Sequence, residues 1–153
     1  MTLQDIAHRT GIPIRLIRYV LDHRVLPGEP WTQMTDLRGQ PRTVTDLEAF
    51  AISVAAHLLH AGVRRSNVQR TMSDLTGIPS NKTLPLRKRK RLFLADIQFG
   101  KESSRILVGV DGHIRVLSHG QLEVSGPSPD TEQDLFVRVE VDLAAIRNQL
   151  FAK

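Results

Sequence analysis

Arg15, Arg18, Tyr19 and Asp22 recur at i, i+3, i+4 and i+7, so a helix through them gathers all four on one face. Guanidinium groups make charge-assisted bonds to phosphate or bidentate pairs to guanine, and a phenol adds a rigid hydroxyl. The chemistry of such a stripe is the gripping of a polyanion. Its plain alternative is a solvated helix face. Arg38 and Arg42 carry the same chemistry in a stretch with Pro30, Gly39 and Pro41, and Lys88 and Arg89 carry it in the basic run 87–91.

Other chemistries find less support. His57 and His60 lie at i, i+3, but a metal centre needs further ligands and none is near in sequence, so they read as a surface pair. Asp134, Glu140 and Asp142 contain the carboxylates of a hydrolase pair. Their positions read instead as a strand edge and a helix cap. Phosphate loops, dinucleotide fingerprints and nucleophile elbows are absent from the sequence. There is no cysteine, which excludes disulfides, thiolate metal sites, iron–sulfur clusters and a cysteine nucleophile. The expectation is a non-enzymatic protein without a cofactor or metal.

The elements that must position these residues follow from period and punctuation. Thr2 caps a helix from Leu3 to Arg9, with Asp5 completing an acidic capping box, and Thr10-Gly11 stops it. Pro13 opens a second helix to about Asp22, with Ile14, Ile17 and Leu21 on its apolar face. Two short helices joined by a tight turn, the second showing a basic and aromatic stripe, have the outline of a helix-turn-helix. Pro27-Gly28 ends that unit. Residues 28–42 read as a loop or short hairpin. Thr45 caps a longer helix with Leu47, Phe50 or Ala51, Val54, Leu58 and Ala61 as its stripe, stopped by Gly62. A fourth helix follows from about Arg65 to Leu75.

Beyond this point the composition and period change. The 153 residues carry a net charge of +5. Residues 1–77 carry +2, residues 78–91 carry +6 without an acid, and residues 92–153 carry −3. Two prolines and the basic run make 78–91 a linker. Residues 105–110 and 113–117 alternate around Asp111-Gly112, a hairpin signal whose turn is all those two residues need supply. Residues 92–97 and 121–124 are weaker strand candidates, and Val137, Val139 and Val141 mark another strand. Residues 125–133 read as a polar loop. Asp142 then caps a last helix bearing Leu143, Ile146 and Leu150. The fold class is α+β, with a mainly helical unit over 1–77 and a small antiparallel sheet with a terminal helix over 92–153. The second unit is small enough to need docking or dimerisation. No apolar run approaches the ~18 residues of a membrane span, and no signal peptide is visible.

The front half resembles the MerR family of bacterial winged-helix transcription regulators. The matching residues are Leu3-Gln4-Asp5-Ile6-Ala7, Arg9-Thr10-Gly11-Ile12, Arg15 with Ile17-Arg18-Tyr19, and Val25-Leu26-Pro27. The family reads "IGELA", "RTGV", "RxLRYY" and "LLP" at the same spacings. Arg42-Thr43-Val44-Thr45 is similar to the family's wing arginine with its helix cap, and Ala61-Gly62-Val63 to its "LGF" turn. The resemblance implies a winged helix-turn-helix with the recognition helix in the major groove of duplex DNA. It assigns contacts to Arg15, Arg18, Tyr19 and Arg42; Thr10, Arg38, Lys88 and Arg89 complete the expected DNA-binding set. Val20 and Val44 stand where the family has aromatics. The family's long dimerising helix has no counterpart: Pro79, Pro85 and the basic run occupy its place without a heptad repeat. Its promoter-twisting mechanism is therefore not carried over, and thiolate sensing is excluded by composition.

The expected function is a sequence-specific DNA-binding transcription regulator. It is expected in the cytoplasm at the nucleoid, as a homodimer through its C-terminal unit, with no membrane partner. A protein partner or small effector for the acidic half is left unidentified. The alternatives are an excisionase-like or architectural accessory factor, and a protein–protein adaptor or antitoxin-like subunit that keeps the winged-helix fold.

Overall fold

Local rules start the first two helices. The computed structural model describes residues 1–27, 43–76, 104–109, 114–118, 121–124 and 137–152. Helix α1 spans Leu3–Thr10. The Thr2 hydroxyl accepts from the Asp5 amide at 3.1 Å, and the Asp5 carboxylate accepts from the Thr2 amide at 2.8 Å. This closed capping box satisfies two amides that the first turn leaves open. Gly11, at φ 71°, ends the helix in the left-handed region and donates to Ala7 O. Helix α2 spans Ile14–Asp22, and Pro13 is its N-cap, at ψ 129°, rather than its first helical residue. Ile17 and Val20 are fully buried while Ile14 and Leu21 are only half-buried. The apolar face is therefore centred nearer Val20 than the sequence pattern suggested, and Val20 serves the core.

Helix α3, Asp46–His60, is the centre of the molecule. Thr45 and Glu48 form a second capping box. Every residue from Ala49 to Leu58 is buried except His57. Expected stripe members Leu47 and Ala61 are exposed instead. A helix buried on nearly all sides must be surrounded rather than laid on a surface, and α3 touches α1, α2, α4 and the C-terminal helix. Gly62, at φ 83°, ends it, and helix α4 runs Arg65–Thr76.

The described strands form one antiparallel sheet in the order β3-β2-β1-β4. They are β1 Ser104–Gly109, β2 Ile114–Ser118, β3 Gln121–Val124 and β4 Val137–Asp142. Ile106 pairs with Val141 and Val108 with Val139. A shift follows, in which Gly109 pairs with Val137, leaving Arg138 as the extra residue of a bulge. Helix α5, Leu143–Phe151, leaves β4 directly, with the Asp142 carboxylate accepting from the Ala145 amide at 2.9 Å. The fold is thus α+β. The expected strand at 92–97, the turn at Asp111-Gly112 and the loop 125–133 lie outside the described residues.

A single buried cluster joins the two halves of the sequence. Leu143, Ile146 and Leu150 of α5, with Ile106, Val108 and Val141 of the sheet, share it with Ile6, Ile17, Phe50 and Val54. Arg9 of α1 donates to the carbonyl of Leu150, near the end of α5. The C-terminal helix docks on helices α1 and α3. No described helix is long and apolar enough to cross a membrane.

Candidate nucleic-acid interface

Helix α2 divides its residues cleanly. Ile17 and Val20 bury one side, and Arg15, Arg18 and Asp22 are exposed on the other. Tyr19 is half-buried between them and lies against His23, with ring centroids 4.1 Å apart and planes tilted by 39°. Packing on one flank and the His23 ring on the other limit the rotamers of the phenol. Among the described residues the guanidinium groups of Arg15 and Arg18 make no hydrogen bond or ion pair. Asp22 does have a partner.

The end of α2 is tied to α4. Arg65 Nη2 donates to His23 O at 2.6 Å, and Gln69 Nε2 donates to Arg24 O at 3.2 Å. These bonds satisfy carbonyls that a helix end leaves open and place positive charge against the negative end of the helix dipole. They also bring α4 beside the end of α2. The side chains of Arg64, just before α4, and of Arg24 are exposed and without a partner among the described residues. Both were missed in the sequence. Arg64 left a faint signal as half of a dibasic pair after Gly62, and Arg24 left none.

Thr10 sits at the turn before α2. Its hydroxyl donates to Ile6 O at 2.7 Å and accepts from the Ile12 amide at 3.4 Å. Its donor is therefore spent on a carbonyl of α1, and its acceptor faces the turn. Arg38, Arg42, Lys88 and Arg89 lie outside the described residues. Next in sequence after Arg42, Thr43 forms an antiparallel bridge with Thr2, and Val44 N donates to Met1 O at 2.9 Å.

On the sheet, described charged groups are engaged within the fold. Arg105 lies 3.4 Å from Glu140 and 3.8 Å from Asp142 across β1 and β4. Those carboxylates pair with a cation and cap a helix, as strand edge and cap require. His57 Nδ1 lies 2.8 Å from Ser53 O, and no described group of three His, Cys, Asp or Glu residues forms a metal centre. Burial holds the His57 pKa below its ordinary value, against the opposing effect of the Ser53 bond. Compared with known proteins, the chain matches no family model, and no curated protein or solved structure is significantly similar to it.

Proposed function

We propose that this chain is a sequence-specific DNA-binding transcription regulator of MerR-like type, without enzymatic activity. Helices α1 and α2 act as a helix-turn-helix whose second helix enters the major groove. Residues 28–42 act as a wing, with Arg42 and Arg38 on flanking backbone. The basic run with Lys88 and Arg89 steers approach by its charge. Dimerisation through the C-terminal unit presents two modules to two half-sites and multiplies a modest single affinity.

The observation that carries this reading is the state of Arg15 and Arg18. Both guanidinium groups are exposed and without a partner among the described residues, on a helix whose other face is fixed in the core. A rigid element presenting unengaged forks is what phosphate and guanine recognition needs. Replacing Arg15 and Arg18 together with alanine should weaken binding to duplex DNA by roughly 30-fold or more and reduce the salt slope by about two. The melting temperature should stay put. Unchanged affinity in a salt-controlled anisotropy titration would instead favour a protein-binding adaptor.

A further inference from the structure

Three helices in the front half end on a residue with positive φ, and only one of the three is not glycine. Helix α1 ends on Gly11 at φ 71° and α3 on Gly62 at φ 83°; α2 is followed by Arg24 at φ 48°. The comparison between α2 and α3 is close, because both ends form the same pair of hydrogen bonds. After α3, Val63 N donates to Leu58 O at 3.0 Å and Gly62 N to Leu59 O at 3.0 Å. After α2, Val25 N donates to Val20 O at 2.9 Å and Arg24 N to Leu21 O at 3.2 Å. Each is a Schellman motif, and in each the residues that accompany it, Val63 with Leu58 and Val25 with Val20, are buried. One motif has the residue that the conformation favours. The other has a residue whose Cβ crowds the following carbonyl there.

The Arg24 side chain gives nothing visible back to the fold. It is exposed and has no hydrogen bond or ion pair among the described residues. Its backbone does the structural work: its amide closes the motif and its carbonyl accepts from Gln69. A glycine would keep both of those bonds. Arg24 also directly follows His23, the residue stacked on Tyr19 of the ridge. Strained non-glycine residues held by their surroundings cluster at binding sites, where the side chain is the reason for the strain.

We infer that Arg24 is a further phosphate-contacting residue of the nucleic-acid surface, kept in an unfavourable backbone conformation for its charge. This rests on the DNA-binding reading above. It adds a cation beyond the end of α2, where the helix itself has stopped. The contact is to backbone, so it contributes affinity and position rather than sequence preference.

The test is Arg24→Gly in the full chain, with Arg24→Lys beside it, using a labelled mixed-sequence duplex of about two helical turns. Arg24→Gly should raise the melting temperature by about 2–4 °C, as relief of left-handed strain does in a chain of this size. The same variant should bind the duplex roughly three- to tenfold more weakly, with the salt slope smaller by about one. Arg24→Lys should keep the slope and gain no stability. A more stable Arg24→Gly with unchanged affinity overturns the inference. So does a less stable one, because the arginine would then be serving the helix end through its dipole. Failure of the parent reading looks different: wild type and the Arg15→Ala, Arg18→Ala variant would bind the duplex equally, whatever Arg24→Gly did to the melting temperature.

Discussion

Helices α2 and α5 have nine residues each and both bury apolar side chains in the same core, yet their polar groups have opposite fates. Around α5 the charged groups are spent within the molecule. Asp142 caps its start, Arg147 bonds Asn148, and Arg9 reaches the Leu150 carbonyl. Around α2 the two arginines of the ridge are exposed and unengaged among the described residues. An ion that has found its partner at home explains stability. One held on a rigid element with no partner is available to a ligand. Net charge alone would not have made this distinction, because Arg9 and Arg15 count equally in it.

The sharpest way to break the comparison is to attack the side held by packing. Leu150 is fully buried in the common cluster, and Leu150→Ala should cost about 2–5 kcal/mol of stability. Because α5 shares its core with α1 and α3, calorimetry should show one transition moving as a whole. Two transitions, with the helical one unmoved, would mean that α5 and the ridge-bearing helices are energetically separate. A smaller effect is expected on the other side. Neutralising Lys88 and Arg89 with glutamine should weaken duplex binding roughly tenfold on every sequence, and shrink the salt slope by about one to two. An effect confined to one target sequence would remove the basic run from the steering role.

Arg9→Ala sharpens the contrast directly, by deleting an arginine that has a partner. It should lose about 1 kcal/mol of stability through the Leu150 carbonyl, which would have to find water. Duplex affinity should be unchanged. A variant that kept its melting temperature and lost affinity would place Arg9 with the ridge and not with the fold.

The parts of this division that are local in sequence were legible there. Thr2 with Asp5, Thr45 ahead of α3 and Asp142 ahead of α5 announced helix starts, because a cap is decided within four residues. The ridge was legible too, since Arg15, Arg18 and Tyr19 obey the helical period. What depends on distant partners was not. Residues 9 and 150 meet through tertiary packing that no local pattern records. The run from Ala49 to Leu58 read as a striped helix because an amphipathic stripe presupposes a solvent side, while α3 has almost none. Arg24 was invisible for a third reason: a left-handed backbone is signalled by glycine, and here the signal is missing. Half of the expected contacts, Arg38, Arg42, Lys88 and Arg89, lie outside the described residues.

The smallest expected effect concerns His57, a titratable group on the held side of the molecule. Burial favours its neutral ring, which sits against Ser53 O at 2.8 Å, and the neighbouring His60 acts in the same direction. The folded chain therefore takes up this proton at lower pH than the unfolded chain, whose histidines titrate near ~6.5. The sign follows from linkage. Above the unfolded value both states are neutral and the contribution to stability is complete. As pH falls through that value the unfolded state gains a proton first, and stability declines until the folded ring also protonates. His57→Gln retains a donor for Ser53 O and removes the titration. Urea midpoints measured between about pH 7.5 and about pH 5 should fall less steeply in this variant than in wild type. Equal slopes in the two proteins would mean that the acid sensitivity of the core resides elsewhere. A change in duplex affinity with no change in midpoint would move His57 from the held side of the comparison to the exposed one.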